Sequence, residues 1–182
     1  MWLDSCNSEH VDSRFDILVW QPVATLTTQG ESSRIYFPQD KEQQTSTDDP
    51  LTLVQQLQMQ LFNQLATPHD FLPFLGGALG YFSYDLGRRF EHLPSTAKQD
   101  INLPEMAIGF YSQAIIFDKL SGKLYLICPD DKRSIIEAFI SNLLKLSTSD
   151  SEQPVNFQLT NSWQANMDKA SYIEKFNQVQ DY

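Results

Sequence analysis

Four of the seven glycines stand at Gly76, Gly77, Gly80 and Gly87, inside an apolar and aromatic stretch, 72–91. Glycine inside an apolar strand marks a bulge or a place where another backbone comes close. A phosphate cradle is the functional alternative, and the pattern does not support it. Gly76-Gly77-Ala78-Leu79-Gly80-Tyr81 has neither the Lys-Ser/Thr of a P-loop nor the G-x-G-x-x-G spacing of a dinucleotide site. This stretch therefore predicts a strand, 76–84, in close contact with a neighbour.

Further strands come from runs of β-branched and aromatic residues at 15–20 and 23–28, with a bend at Pro22, and at 34–37 after a turn at Gln29-Gly30. The polar segment 38–47 reads as a surface loop. A hairpin follows from 107–117, a turn through 118–122 ending in Gly122, and 123–128. One helix is predicted over 50–66, with Asp49 as N-cap, Pro50 in the first turn, and Leu53, Val54, Leu57, Leu61 and Leu65 on one face. A second runs over 131–146, with Ile135, Ile136, Phe139, Ile140, Leu143 and Leu144 on its apolar side. The fold class is α+β: an antiparallel β-sheet from these strands, with the helices packed on one face. The segment 147–154 has a linker's composition, and 155–159 reads as a short strand. A last helix begins at Asp168 and carries Tyr172, Phe176 and Val179 on one side. Its pattern runs unbroken to Tyr182, so it reads as interrupted, and its stripe is expected to dock, with self-association if no internal site is free.

Charge narrows the partners. Thirteen Lys+Arg against 23 Asp+Glu give a net charge of −10, which argues against a nucleic-acid surface built on neutralising phosphates. No apolar stretch reaches the ~18 residues of a membrane span, and the start lacks a signal peptide's basic and apolar regions. Cys6 and Cys128 are too few and too far apart for a disulfide framework or a zinc site. The expectation is a soluble, cytoplasmic protein with neither membrane nor nucleic-acid partner. His10, His69 and His92 show no metal-ligand pairing, and no Ser, Cys or Lys lies in a nucleophile motif. Arg88-Arg89 could grip an anion bidentately, or pair internally with Asp85 or Glu91. The residues alone indicate no self-contained catalytic machinery.

The whole segment 72–91, Leu-Pro-Phe-Leu-Gly-Gly-Ala-Leu-Gly-Tyr-Phe-Ser-Tyr-Asp-Leu-Gly-Arg-Arg-Phe-Glu, closely resembles the signature of the aminodeoxychorismate synthase branch of the anthranilate synthase component I family. Segments 13–17, 47–51, 99–107 and 172–182 agree in order and spacing, so the resemblance spans essentially the chain. It implies the N-terminal part of the anthranilate synthase component I-like fold, with a domain at 1–154 and the start of the chorismate-binding region at 155–182. The implied parent enzyme converts chorismate, with ammonia from a glutamine amidotransferase subunit, to 4-amino-4-deoxychorismate on the way to para-aminobenzoate and folate. Its chorismate pocket, Mg²⁺-binding glutamates and catalytic lysine would lie in a C-terminal catalytic half outside these residues. This chain would then be non-catalytic, with no cofactor of its own. The alternatives are the corresponding domain of anthranilate synthase component I, or a stand-alone tryptophan-binding regulatory module.

The family's N-terminal domain also contributes a pocket for L-tryptophan. The resemblance carries that pocket onto Ser5, in Trp2-Leu3-Asp4-Ser5, and onto Asp12, Ser13, Arg14 and Phe15. A free amino acid needs an acceptor for its ammonium, donors for its carboxylate and an apolar slot for the indole. Ser5, Asp12, Ser13 and Arg14 offer the polar groups, with Phe15 as a wall. Equally, Ser13-Arg14 could do no more than organise the start of a strand.

Overall fold

A computed structural model describes residues 1–6, 10–62, 71–96, 101–146 and 158–181. They form nine strands and three helices. In chain order these are β1 (Trp2–Leu3), β2 (Phe15–Val19), β3 (Ala24–Gln29), β4 (Ser32–Phe37), β5 (Glu42–Ser46), α1 (Pro50–Phe62), β6 (Gly77–Phe82), β7 (Met106–Tyr111), β8 (Ala114–Asp118), β9 (Lys123–Ile127), α2 (Arg133–Leu146) and α3 (Lys169–Gln180). The expected α+β class holds. The chain divides into two compact units, Met1–Phe139 and Ile140–Tyr182.

All strand pairs are antiparallel, but they make two sheets where one was expected. One has the order β1-β2-β8-β9 and the other β5-β4-β3-β7-β6. The reason is a pair of matched corners. The bend between β2 and β3 at Pro22 was legible. The segment 107–117, read as one strand, is broken at Ser112-Gln113 into β7 and β8, which belong to different sheets. Since β2 pairs with β8 and β3 with β7, a single ladder turns from one sheet into the other. Gln113, 4% exposed, pins the corner by donating from Nε2 to the Trp20 carbonyl (3.4 Å) and the Gln21 side-chain oxygen (3.2 Å).

The five-stranded sheet buries one face under α1. Ala24, Leu26, Ile35, Met106, Ile108 and Phe110 pack there against Leu53 and Leu57, each large side chain contributing about 1.5–3 kcal/mol by leaving water. α1 starts as expected: the Asp49 carboxylate accepts the Thr52 N–H at 2.6 Å, which lowers its pKa. The helix is described to Phe62, so residues 63–66 of the prediction lie outside the described residues. The glycines act as the strand reading required. A Cβ on Gly80 would stand 2.0 Å from the Ala107 carbonyl oxygen of β7. Gly77, at φ +133°, lets the chain meet α1, where the Gln58 side-chain oxygen accepts the Ala78 N–H at 3.0 Å.

One segment read as loop is a strand. β5 lies in 38–47 and pairs with β4, Thr45 opposite Arg34 and Gln43 opposite Tyr36. As an edge strand with polar residues on both faces it has no hydrophobic alternation to betray it, a known way of keeping edges from aggregating. Both α2 and α3 fall where helices were placed, the first preceded by a 3₁₀ turn, Asp130–Lys132. Asp168 caps α3 by accepting the Ser171 N–H at 2.8 Å, and Tyr172 and Phe176 stack with ring centroids 6.4 Å apart. The linker 147–154 and most of the strand expected at 155–159 lie outside the described residues.

Candidate functional site

The residues singled out at the N-terminus lie at one end of the four-stranded sheet, where β1 leaves, β2 begins and β8 turns into β9. Ser5 makes three short contacts: its N–H donates to Asp16 Oδ1 at 2.9 Å, and its hydroxyl lies 2.9 Å from the Ser13 carbonyl and 3.0 Å from Asp16 Oδ1. The hydroxyl has one proton for two acceptors, and its own lone pairs can still accept from a third group. Arg14 forms a fork with Asp118, Nε to Oδ1 and Nη2 to Oδ2, both at 2.8 Å. Its guanidinium lies 4.6 Å from the Phe15 ring centroid and 5.6 Å from that of Phe71. Phe71 in turn meets Tyr125 edge-on at 5.5 Å.

Three residues of this cluster were not singled out in sequence: Asp16, Asp118 and Lys119. Asp118 is 1% exposed and accepts four hydrogen bonds, two from Arg14, one from the Leu120 N–H (3.1 Å) and one from the Ser121 hydroxyl (2.8 Å). Two carboxylate oxygens offer about four such positions, so Asp118 is saturated. The Arg14 hydrogen bonds hold its carboxyl well below the usual range, and Asp118 in turn raises the pKa of Arg14. The Lys119 ammonium sits 3.0 Å from Asp16 Oδ1 and 3.8 Å from Asp4 Oδ1 and donates to the Cys6 carbonyl. The Ser5 N–H, with help from Lys119, lowers the pKa of Asp16.

Ser5, Ser13, Arg14 and Phe15 thus come together, whereas Asp12 does not join them: its side chain is exposed and sits 3.4 Å from His10 Nδ1. Two of the guanidinium's donor groups are committed to Asp118. What Arg14 does first is tie the start of β2 to the β8–β9 turn, a bond across 104 positions. Asp118 had a local signal, an acid opening a turn that ends in Gly122, but its partner had none.

The Arg88-Arg89 pair resolves into internal contacts. Arg88 meets Asp85 at 3.0 Å, as the internal reading had it. Arg89 pairs with neither Asp85 nor Glu91 but with Glu31 at 2.8 Å, and donates to the Thr47 and Asp48 carbonyls at 3.1 Å. It clasps the β3–β4 turn to the start of α1. On the outward face of the five-stranded sheet, Thr27, Gln29, Ser32, Arg34, Gln43 and Thr45 line a shallow polar recess of about 490 Å³. Among the described residues no group of three His, Cys, Asp or Glu could hold a metal ion. No described helix is long and apolar enough to cross a membrane.

Two antiparallel sheets joined at the β2–β3 and β7–β8 corners, with α1 on one face of the larger, recur in known proteins. The sequence model of the chorismate binding enzymes matches residues 1–182, and the chain belongs to that family. It is 45% identical to aminodeoxychorismate synthase component 1 of Klebsiella aerogenes and 43% identical to that of Escherichia coli K12, over all 182 residues in both cases. Those 182 residues correspond to 38% of each relative's length. Anthranilate synthase component I of Streptococcus pneumoniae shares the fold, with a TM-score of 0.56 over 80% of this chain and 32% of that one, at 22% identity.

Proposed function

We propose that the chain is the N-terminal, non-catalytic portion of an aminodeoxychorismate synthase component 1. The whole enzyme would make 4-amino-4-deoxychorismate from chorismate and ammonia in the cytoplasm, the ammonia coming from a glutamine amidotransferase partner and the product feeding para-aminobenzoate and folate synthesis. One observation carries this: 45% identity over the full 182 residues, which correspond to 38% of the relative. Anthranilate synthase component I is the weaker alternative on the same ground. The reacting groups of such an enzyme must be held in one preorganised site, and these residues supply scaffold rather than that site. Substituting the 182 residues for the matched part of the Escherichia coli relative should give a chimera that forms 4-amino-4-deoxychorismate with ammonia and Mg²⁺. The chain alone should form none. A folded but inactive chimera, or turnover by the chain alone, would refute the assignment.

A second reading rests on the convergence of Ser5, Ser13, Arg14 and Phe15 beside Phe71. We infer that this end of the sheet contributes to an L-tryptophan site, with the Ser5 hydroxyl accepting from the ammonium and the aromatic rings walling the indole. Arg14 acts there chiefly as a positioning residue, because Asp118 occupies its fork. Calorimetry on the active chimera should show Ser5→Ala weakening tryptophan by about 0.5–1.5 kcal/mol, the net worth of one ordinary hydrogen bond. Unchanged affinity would remove Ser5 from the site.

A further inference from the structure

Five arginines stand in this chain, and four of them are ion-paired: Arg14 with Asp118, Arg88 with Asp85, Arg89 with Glu31 and Arg133 with Glu137. Arg34 is the exception. Among the described residues it has no carboxylate partner, although 23 acidic residues outnumber 13 basic ones. The register puts it in the middle of the polar face of the five-stranded sheet. Thr27 of β3 lies opposite it on one side and Thr45 of β5 on the other. Gln29, Ser32 and Gln43 stand two positions along their strands from Thr27, Arg34 and Thr45, and so share that face. These six side chains, with Pro104, line the recess of about 490 Å³.

The recess differs from a merely solvated sheet face. No Asp or Glu lines it, so nothing local cancels the guanidinium's charge. Gln29 gives its amide N–H to Asn102 at 2.6 Å. Thr27, Ser32, Arg34, Gln43 and Thr45 have no side-chain partner among the described residues, and their hydroxyls and amide are free to donate and accept. The volume falls within the roughly 300–1,000 Å³ of small-molecule sites.

The donor set selects the ligand class. The planar fork of one guanidinium matches one carboxylate bidentately. A phosphate brings nearly twice the charge, and the recess has a single cation to meet it. The net charge of −10 works against any polyanion. Neutral hydroxyl and amide groups around the fork suit a ligand body that itself carries hydroxyls. We propose that the recess binds a small hydroxylated monocarboxylate, with Arg34 on its carboxylate and Thr27, Ser32, Gln43 and Thr45 on its hydroxyls. This site lies beyond the function proposed above and does not depend on it.

Nuclear magnetic resonance of the ¹⁵N-labelled 182-residue chain tests the site, with gluconate, quinate and glycerate as probes. At least one should shift the Arg34 Nε–H and the Thr45 amide saturably at millimolar concentration. Arg34→Gln should weaken that binding by about ten-fold or more, as loss of a charge-assisted bond requires, and Arg34→Lys, which keeps the charge without the fork, should recover only part of it. Thr45→Ala should weaken it by about two- to ten-fold. Both positions are exposed, so neither change removes core packing, and unshifted amides in α1 and β7 confirm the fold. Arg88→Gln, outside the recess, should leave the affinity unchanged, and sorbitol, with hydroxyls but no charge, should not saturate. Absence of a saturable shift with all three probes overturns the site, as does an affinity indifferent to Arg34→Gln. Acetate bound as tightly as the hydroxy acids removes the hydroxyl contacts and overturns the ligand class. Inorganic phosphate bound more tightly than all three does the same. The active chimera with the Escherichia coli relative should bind the same probe. Loss of binding there would show Arg34 covered by the rest of the polypeptide and would overturn the proposal, whereas an inactive chimera that still binds sinks the functional reading alone.

Discussion

The two sheets are continuous through one ladder, yet they are held by different forces. The five-stranded sheet has α1 on its inner face and an apolar cluster centred on Leu26, Met106, Ile108 and Phe110, all nearly excluded from water. Its other face carries Thr25, Thr27, Gln29, Arg34, Tyr36 and Thr45 on β3, β4 and β5, while Leu79 and Tyr111 on β6 and β7 enter a second apolar cluster. The four-stranded sheet has only a smaller buried cluster, in which its Val19 and Ala114 meet Tyr111 of β7 at the corner. Its end is fastened by the Arg14–Asp118 fork and the Lys119–Asp16 pair, while apolar side chains point outward. One sheet is stabilised mainly by apolar burial, and the other relies more on ion pairs at its end and leaves apolar side chains in water.

The largest effect that could break this contrast is in the core. Phe110→Ala removes a fully buried ring beneath α1 and should cost about 3–5 kcal/mol in urea unfolding. Leu124→Ala, on the exposed face, should stay within about 0.5 kcal/mol of the parent chain. Comparable losses would mean that the outward face is already covered within this chain.

Next comes the glycine strand. Gly80→Ala drives a Cβ against fixed backbone, the Ala107 carbonyl, rather than against a side chain that could turn away. Overpacking of this kind costs about 1–3 kcal/mol or more. A variant as stable as the parent would show that β6 can slide away from β7, and the five-stranded sheet would be less rigid than its packing implies.

Much of this was legible in the sequence, and the omissions have physical causes. α1 announced itself through Asp49, Pro50 and its leucine spacing, and the close approach at Gly80 through glycine clustering. β5 was hidden because an edge strand with polar residues on both faces has no period to read. The break at Ser112-Gln113 was hidden because it contains neither Gly nor Pro; its bend is made by the Gln113 side chain reaching Trp20 and Gln21. At the candidate site Ser5, Ser13, Arg14 and Phe15 were named through a family resemblance. Asp118 and Lys119 escaped because their partners lie far away along the chain, and pairing at such separation leaves no trace in one sequence.

A smaller effect separates packing from polarity inside the five-stranded core. Thr28 and Ser33, both fully buried, share a hydrogen bond at 2.8 Å on the face under α1. Ser33→Ala leaves the Thr28 hydroxyl without its partner and should cost about 1–2 kcal/mol. Thr28→Val with Ser33→Ala removes both hydroxyls and should recover most of that loss, since a matched apolar pair is nearly neutral. A double variant worse than the single one would show the hydroxyl pair to be a positive requirement of this sheet.

The smallest expected change is absent at neutral pH and confined to the other sheet. The folded pKa of Asp118 lies below its unfolded value because Arg14 holds the carboxylate. Its stabilisation is therefore complete above the unfolded pKa of about 3.9 and is lost as pH falls toward the folded one. One proton can change local opening by at most about ten-fold per pH unit. Amide exchange in the β8–β9 turn and at the start of β2 should accelerate on going below about pH 4, while β3 and β7, which carry no such ion pair, keep their protection longer. Asp118→Asn should reduce this acid response at the turn, leaving the part that comes from Asp16, whose carboxyl Ser5 and Lys119 also hold low. If β3 and β7 lose protection at the same pH and to the same degree, the two sheets open as one unit, and the division of labour between apolar core and ion-paired edge does not extend to their dynamics.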